Sequence, residues 1–341
     1  MDFLNYQRRF KIACSRLKYK HEQIDNLLAY AKKINNNNLP IIYNDEHLSL
    51  LLGFKKELLY KISNASYKFY RHFTIPKRNG KNREIFEPYP TLKEIQYWIL
   101  ENILSKVQVS KYAKAYIKRM SVLDNARFHR NQKVVLKYDI KNFFGSIATS
   151  SISRIFFKLG YSKQVSALLA NICCLNNSLP QGAPTSPCLS NIFFLEIDKA
   201  LGTYTNKRQF RYTRYSDDIT ISGNINHEQI GKIHSFLILV MKRVNLQLQK
   251  DKQKILRRTS QQNITGIVVN VKMSIKNSLK DKIRQDVYYI NKFGLDSHIA
   301  RCGIKQRNYL NHLKGLINWI LFVEKKNSEF LQYKLLLLSI K

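Results

Sequence analysis

Apolar residues recur at helical spacing along most of this chain, at both ends and in several central segments. Basic amphipathic stretches fill residues 1 to about 40, and another helical pattern covers about 45 to 70. A further helix is predicted for TLKEIQYWILENIL, with Thr91 and Glu94 as a capping box. Its apolar face consists of Leu92, Ile95, Ile99 and Ile103. Beyond about 272 the pattern is again helical and basic, with one stripe of Leu310, Leu313, Ile317 and Ile320.

Short β-prone runs interrupt the helical pattern in the middle of the chain. Two of them flank the basic turn KRNGK, whose Asn79-Gly80 is a hairpin signal. A buried strand is predicted for VVLKYD, a second hairpin for FRYTRYSDDITIS, and further strands for LQLQ and NITGIVVN. Between the VVLKYD strand and the second hairpin lies a Gly/Pro-rich turn that opens into a helix, SLPQGAPTSPCLSNIFFLEIDKAL. This mixed order predicts an α+β core with helical additions at both ends.

The charge balance is strongly basic, since 58 Lys+Arg oppose 23 Asp+Glu and give a net +35 over 341 residues. Such a charge predicts a polyanionic partner, because each phosphate contact releases condensed counterions. The basic residues are spread along the chain rather than gathered on one amphipathic helix, which favours nucleic acid over a membrane. Five cysteines without paired spacing argue against disulfides and zinc, and no signal peptide is evident. We therefore expect a cytoplasmic protein without membrane association.

Three acidic residues stand out against this basic background. Asp139 ends the predicted buried strand, while Asp217 and Asp218 lie side by side at the tip of the second hairpin. Acids are ordinary turn residues, so an exposed turn is one interpretation. The other is a metal site, because a carboxylate cluster is repulsive without cations and Mg²⁺ prefers carboxylates together with substrate phosphates.

The surrounding segments resemble reverse transcriptases. Residues Tyr215 to Asp218 look like the YxDD box of that family, and LPQGAPTSP at 179–187 looks like the segment that precedes it. YDIKNFF resembles the strand with the first metal ligand, IPKRNGKNREIFEP the fingers hairpin, and LQLQKDKQKI the segment with a late lysine. These five segments occur in the family's order and cover roughly residues 70 to 270.

Two more segments resemble bacterial retron reverse transcriptases in particular. NARFH, residues 125–129, matches their NAxxH motif, and ITG, residues 264–266, resembles their VTG motif. The chain departs from the commonest retron pattern at Ser216, where Ala is usual, and at Ile264, where Val is usual. Neither departure affects a metal ligand.

The resemblance implies a right-hand polymerase with an antiparallel palm sheet and helical fingers and thumb. It places an N-terminal helical extension at 1–40, fingers at 41–110, the palm at 111–270 and a basic thumb at 271–341. Two Mg²⁺ ions would be bound by the catalytic carboxylates and a backbone carbonyl, namely Asp139, Asp217, Asp218 and Ile140.

The same resemblance implies contacts with the dNTP substrates. Arg83, assisted by Lys77, would hold the triphosphate, which Lys252 would also approach. Phe144 would clash with a 2′-hydroxyl and so select dNTP over NTP. Gln181 would hydrogen-bond near the nucleotide or template, and Gly182 would let the backbone come close.

Contacts with RNA or primer are implied at a further set of residues: Asn125, His129, Tyr215, Thr265, Gly266, Arg284 and Arg307. For Asn125 and His129 the alternative is a structural role in which they brace the palm. The basic residues of the predicted thumb suit a grip on an RNA stem-loop or the product duplex, and they include Lys276, Lys282, Arg301 and Lys305.

The function implied is RNA-directed DNA synthesis on a structured noncoding RNA (msr-msd) encoded beside the gene. Priming from a guanosine 2′-hydroxyl would leave branched multicopy single-stranded DNA (msDNA). An effector protein is the implied partner, with which the enzyme can form an oligomer in anti-phage defence. The alternatives are a reverse transcriptase of the group II intron or diversity-generating type, and a non-catalytic RNA-binding protein on a polymerase scaffold. The chain is too short to hold full maturase and endonuclease regions, and the three acids argue against a non-catalytic scaffold.

Overall fold

The computed structural model describes residues 3–76, 80, 82–304 and 306–340. The chain divides into two compact units that alternate along the sequence. The first unit comprises Met1–Tyr116, Ile140–Ala200 and Leu237–Leu248, and the second comprises Ile117–Asp139, Leu201–Phe236 and Gln249–Lys341. The predicted division into extension, fingers, palm and thumb stays a prediction.

Helices dominate the described part of the chain. The α-helices are α1 Phe3–Arg16, α2 His21–Asn36, α3 Asp45–Leu52, α4 Lys56–Asn64, α5 Pro90–Asn102, α6 Val122–Phe128, α7 Thr149–Lys158, α8 Lys163–Cys173, α9 Ser186–Phe193, α10 Leu195–Asn206, α11 His227–Lys242, α12 Asn277–Phe293, α13 Leu295–Arg301, α14 Tyr309–Val323 and α15 Ser328–Leu338. Short 3-10 helices lie at Ser66–Phe69, Leu104–Lys106, Phe144–Ser146 and Lys250–Lys252. The strands are β1 Tyr70–Pro76, β2 Asn82–Pro88, β3 Val134–Asp139, β4 Arg211–Tyr215, β5 Asp218–Gly223, β6 Lys254–Arg257, β7 Asn263–Ile264 and β8 Ile267–Val268.

The first unit combines a hairpin with packed helices. Strands β1 and β2 pair antiparallel in a register that joins Tyr70 to Pro88 and Pro76 to Asn82. The hairpin is thus confirmed, whereas the predicted tip residues Lys77 and Asn79 lie outside the described residues. Helix α5 buries its apolar face as predicted, since Leu92, Ile95, Ile99 and Ile103 are all fully buried.

The second unit is built on a four-stranded sheet in the order β4-β5-β3-β6, and each neighbouring pair is antiparallel. Strand β3 lies inside this sheet and is apolar because it is covered on both faces, with Val135 and Leu136 fully buried. Together with the helices this confirms the α+β class and the antiparallel sheet.

The C-terminal helices of the second unit share one hydrophobic core, to which Leu313, Ile317 and Ile320 contribute fully buried side chains. Glu324, at the end of α14, accepts hydrogen bonds from the Ile275 amide at 2.8 Å, from Lys280 Nζ at 2.9 Å and from Asn327 Nδ2 at 3.0 Å. This carboxylate therefore ties the start of α12 to the end of α14.

Three expectations about local structure are wrong. Helix α5 does not use a Thr91–Glu94 capping box. Its N-cap is Tyr89, two residues earlier, and its first residue is Pro90, at a position where the missing amide costs nothing. The LQLQ segment forms only an isolated bridge, between Leu248 and Ile140. NITGIVVN is not one strand but the hairpin β7–β8.

Across the described ranges, no helix combines the length and apolarity that a membrane span requires.

Candidate active site

Two neighbouring strands bring Asp139 and Asp218 face to face. Asp139 is the last residue of β3 and Asp218 the first of β5, and the antiparallel register makes them direct partners. Directly paired residues have Cβ atoms about 4.5–5.5 Å apart and point to the same face of the sheet. The β3 backbone is anchored here, because the Gln249 amide donates to the Asp139 carbonyl at 2.7 Å.

The third acid, Asp217, lies in the turn between β4 and β5. This turn needs a left-handed residue, and Ser216 supplies it with φ of 59°. The guanidinium of Arg214, whose side chain is fully buried, donates to the Ser216 carbonyl at 3.1 Å. Because Tyr215 pairs with Asp218 across the turn, the hairpin closes tightly and holds Asp217 beside the other two carboxylates.

Burial and mutual repulsion both act on these acids. Burial, and next the charges of Asp139 and Asp218, raise the pKa of the Asp217 carboxyl. Burial is also the main reason that the pKa of Asp218 is raised, with Asp139 adding to it against the opposing effect of Lys137. The protein therefore holds carboxylates whose ionised form is disfavoured until positive charge arrives.

One lysine already supplies part of that charge. Lys252 Nζ donates to Asp139 Oδ2 at 2.8 Å, and the Asp139 side chain is only 14% exposed. Burial alone would lower the pKa of Lys252, but the hydrogen bond to Asp139 and the charges of Asp217 and Asp218 raise it. The late lysine thus contacts the carboxylate cluster directly.

The donor set fits a hard divalent cation, because it offers several carboxylate oxygens and a repulsion that a cation would relieve. Among residues 3–76, 80, 82–304 and 306–340, no three His, Cys, Asp or Glu side chains already form a metal-binding group. In this conformation Lys252 engages Asp139 instead. The residue after Asp139, Ile140, is buried and bridges Leu248, and ligation by its carbonyl stays an expectation.

Asn125 and His129 lie inside the protein rather than on its surface. They are 1% and 0% exposed, and they contact side chains of β4 and β5, the two strands of the hairpin that carries Asp217 and Asp218. His129 Nδ1 is 2.7 Å from Ser222 Oγ on β5, and its Nε2 is 2.7 Å from Thr213 Oγ1 on β4. The Thr213 hydroxyl also donates to Asn125 Oδ1 at 2.6 Å. Direct contact of these two side chains with nucleic acid does not fit such burial, so the structure favours the bracing alternative.

Thr265 and Gly266 form the turn of the β7–β8 hairpin. Both have positive φ, 47° and 90°, which is the geometry of a tight two-residue hairpin turn. The Gly266 amide donates to Asn263 Oδ1 at 3.1 Å. Gly266 is exposed, whereas Thr265 Oγ1 is buried and has no hydrogen-bond partner among the described residues. The turn shape thus accounts for glycine at 266, and an RNA contact there stays a prediction.

In the first unit, the LPQG segment lies against the fingers-like hairpin. The Phe86 amide of β2 donates to the Gln181 carbonyl at 2.8 Å. Gly182 has φ of 134°, and a Cβ at this position would lie 2.5 Å from the Phe86 carbonyl oxygen. Only glycine allows this approach, which fixes Gln181 on the edge of β2.

Two other predicted substrate contacts also belong to the first unit. Arg83 is exposed on β2, where it pairs with Ile75 of β1. Phe144 is half-buried, with its ring against Phe143 at 5.1 Å and Tyr116 at 6.3 Å between centroids. Their roles stay predictions, as does that of Lys77, which lies outside the described residues.

The predicted RNA contacts on the C-terminal helices differ from one another. Arg284 binds Glu329 through two nitrogens, at 2.6 and 2.8 Å, and Asp281 at 2.6 Å. Its guanidinium therefore ties α12 to α15, and because its side chain is 41% exposed, the RNA contact stays a prediction. Arg307 is exposed and accessible, whereas Lys305 lies outside the described residues.

Sequence reasoning missed Arg214, Thr213 and Ser222. Arg214 lies two residues after Tyr212 and therefore on the same face of the strand, and both side chains are fully buried. An arginine on the same face as an apolar tyrosine was the signal for a buried role. The two hydroxyls gave no comparable signal, because Ser and Thr are common throughout β-hairpins.

Known proteins resemble this chain over most of its length. The family described as reverse transcriptase (RNA-dependent DNA polymerase) matches residues 75–269. The chain is 30% identical over 298 residues to the Retron Ec86 reverse transcriptase of Escherichia coli, covering 86% of this chain and 89% of that protein. It is 25% identical over 336 residues to the Retron Mx65 reverse transcriptase of Myxococcus xanthus, covering 92% and 76%.

Two solved telomerase structures are more distant. The telomerase from Candida albicans, in complex with a fragment of telomeric RNA, aligns with a TM-score of 0.45 over 79% of this chain and 60% of its own. The apo telomerase from Candida tropicalis aligns with a TM-score of 0.47 over 77% and 57%. Both are 12% identical in sequence, and these scores are too low to support further argument.

Reverse transcriptases generally use divalent metal ions and an RNA template, and the buried acids of this chain suit that chemistry. On its family match and its similarity to the retron enzymes, the chain belongs to the bacterial retron reverse transcriptases and is an RNA-directed DNA polymerase.

Proposed function

We propose that this enzyme copies a cognate structured noncoding RNA into branched msDNA, starting from a guanosine 2′-hydroxyl of that RNA. The observation that carries the proposal is the set of three carboxylates, Asp139, Asp217 and Asp218, held at the ends of two paired strands. Similarity to retron reverse transcriptases supplies the choice of template and primer.

Two Mg²⁺ ions are the proposed cofactors, held by the three carboxylates and the carbonyl of Ile140. Such a pair activates the attacking hydroxyl and neutralises charge at the departing pyrophosphate. The protein's own contribution is the rigid spacing of the acids, which the β3–β5 register sets. In this proposal the Lys252 ammonium group releases Asp139 when the metal ions bind and contacts the triphosphate instead.

The incoming dNTP is held by residues of the first unit. Arg83 and Lys77 bind the phosphates, since Arg suits bidentate contacts and Lys acts as a point charge. Phe144 excludes a 2′-hydroxyl from the sugar position. Gln181 is held in place by its backbone contact with Phe86 and hydrogen-bonds near the base.

The RNA is proposed to lie along the basic surface of the chain. The net charge of +35 provides the attraction. Tyr215, Thr265, Gly266, Arg284 and Arg307 are the proposed contacts. The helices beyond residue 271 act as the thumb, in a division with fingers at 41–110 and palm at 111–270. The enzyme, with its msDNA and RNA, forms an oligomer with an effector protein, and this oligomer acts in anti-phage defence.

Expression of the gene with its flanking DNA tests this proposal. We expect a short DNA to co-purify with the enzyme and to shorten on RNase treatment, because RNA is covalently attached through a 2′-linkage. A variant with Asp217→Asn and Asp218→Asn provides the matched control and should carry only unmodified RNA. Unmodified RNA alone with the wild-type enzyme would overturn the msDNA proposal. Primer extension that survives the double substitution would overturn the assigned acids.

A further inference from the structure

A second group of reactive side chains lies in the C-terminal helices, away in sequence from the polymerase acids. Of the five cysteines, all within the described ranges, only Cys302 is exposed. Burial raises the pKa of Cys174 and of Cys188 to about 11, so these thiols stay protonated. Cys302 follows α13 directly and is the most accessible of the five thiols.

Cys302 has a nitrogen base beside it. Its Sγ lies 3.7 Å from Nδ1 of His298, one helical turn earlier. The His298 side chain is only 2% exposed and is stacked on the Tyr289 ring, with centroids 6.1 Å apart and planes 12° apart. The imidazole is thus held in one orientation and directs one nitrogen at the sulfur.

A buried carboxylate faces the other side of the same imidazole. Asp286 Oδ1 lies 3.3 Å from His298 Nε2, and the Asp286 side chain is 11% exposed. That contact lacks hydrogen-bond geometry, so Nε2 is a buried nitrogen with no hydrogen-bond partner in the described part of the chain. Asp286 also interacts with Tyr309, where burial and this carboxylate raise the pKa of the phenol. The negative charge of Asp286, 3.3 Å from Nε2, favours a proton on that nitrogen by electrostatic attraction rather than by a hydrogen bond, and this leaves the Nδ1 lone pair toward Cys302.

Thiol, imidazole and carboxylate in this order form the arrangement of an activated nucleophile, in which a third group orients the base. We propose that Cys302 is a site of reversible thiol modification, with His298 as the proton acceptor and a low-molecular-weight disulfide such as glutathione disulfide as the reagent. A purely structural imidazole would need neither an accessible thiol nor a free lone pair toward it.

The reaction is a thiol–disulfide exchange. The Cys302 proton passes to His298 Nδ1, and the sulfur attacks one sulfur of the disulfide. A new S–S bond forms to Cys302 while the original S–S bond breaks. The departing thiolate takes the proton from His298, so one thiol and one disulfide yield one mixed disulfide and one thiol. A glutathionyl group adds one net negative charge next to Arg301.

The test uses the full-length protein, reduced and then freed of reductant. It is incubated at neutral pH with glutathione disulfide, and the adduct on each cysteine peptide is followed by mass spectrometry. We expect the adduct on Cys302, with Cys173, Cys174 and Cys188 unmodified. His298→Gln should slow the reaction by about tenfold or more, because the proton acceptor is lost. His312→Gln is the matched control, since His312 is exposed on the neighbouring helix α14 and should leave the rate unchanged.

Two results would overturn the proposal. The first is a Cys302 adduct that forms no faster than on a short peptide of the same sequence. The second is an unchanged rate in His298→Gln while the buried cysteines stay protected. Modification of Cys173 and Cys174 would reveal that His298→Gln unfolds the protein. Asp286→Asn then replaces it: this variant keeps the imidazole but loses its orienting carboxylate, and it too must react more slowly.

Discussion

Replacing His129 with Phe separates the two roles considered for the NAxxH motif. The substitution keeps a ring of similar size at a fully buried position. It removes the imidazole contacts to Ser222 Oγ on β5 and to Thr213 Oγ1 on β4, each at 2.7 Å. Because β4 and β5 carry the Asp217–Asp218 turn between them, the change acts on the hairpin that positions the catalytic acids.

The expected loss in free energy of unfolding depends on which hydrogen bonds the hydroxyls of Ser222 and Thr213 keep in the variant. Ser222 loses its hydrogen bond to His129, and an unsatisfied buried hydroxyl costs about 1–3 kcal/mol. Thr213 keeps its bond to Asn125, so only the net value of one hydrogen bond is lost there, about 0.5–1.5 kcal/mol. We therefore expect His129→Phe to lower the free energy of unfolding by about 2–4 kcal/mol, which leaves a protein of ordinary stability folded at low temperature.

Chemical denaturation measures this loss, and primer extension with a saturating RNA template measures its effect on catalysis. A hairpin that shifts the acids by about 1 Å should reduce the rate by about 100-fold. The affinity for RNA should be unchanged, because the His129 side chain is not accessible. His234→Phe is the matched control, since this half-buried histidine of the same unit stacks on Tyr138 and should cost less than about 0.5 kcal/mol.

A double-mutant cycle that combines His129→Phe with Ser222→Ala measures the interaction energy between these two side chains. Ser222→Ala alone leaves the imidazole nitrogen unpaired, whereas the double variant removes both partners, so the two effects should be non-additive by about 1 kcal/mol or more. Weaker RNA binding by His129→Phe with normal stability and normal turnover would refute the bracing role and restore direct contact.

Three further predictions concern the acids, the sugar site and the C-terminal helices. Asp217→Asn should abolish primer extension yet raise the melting temperature in the presence of EDTA, because the amide removes a buried, repelled charge; a lower melting temperature would contradict this electrostatic account. Phe144→Val should increase NTP incorporation relative to dNTP in a competitive extension assay, and an unchanged ratio would remove Phe144 from the sugar site. Burial alone would raise the pKa of Glu324, but the hydrogen bonds from Lys280, the Ile275 amide and Asn327 lower it overall. Its stabilisation is therefore complete above about pH 4.3, the unfolded value, and is lost as pH falls through the lower folded pKa. Glu324→Gln should cost about 1–3 kcal/mol in denaturant unfolding at pH 7 and progressively less below about pH 4.3; a pH-independent loss would contradict this prediction.

The parts of the fold that the sequence predicts well are those with strong periodicity. The apolar face of α5 and the strand before Asp139 both lie where their patterns place them, because burial of an apolar stripe dominates local preferences. The start of α5 was predicted wrongly, since Pro90 at the first position made the capping box unnecessary. NITGIVVN was read as one strand because alternation alone does not reveal that Thr265 and Gly266 both adopt positive φ.

For the site, the sequence motifs nominate residues for the chemistry but do not reveal how their side chains are supported. The motif spacing located Asp139, Asp217 and Asp218, and the structure brings Asp139 and Asp218 into direct register. The NAxxH motif marked His129, but not whether it faced RNA or the interior. That choice depends on burial, which tertiary packing decides.

The contact between Gly182 and Phe86 has a practical consequence for altering this enzyme. Two peptide groups meet there without an intervening side chain, so this contact does not use the exposed side chains of β2. Asn82 and Glu84 of β2 are exposed, and they alternate along the strand with Arg83, the proposed triphosphate contact. Asn82 and Glu84 can be randomised to seek polymerases that accept modified nucleotides, while Arg83 and Gly182 are the positions that such a library must leave unchanged.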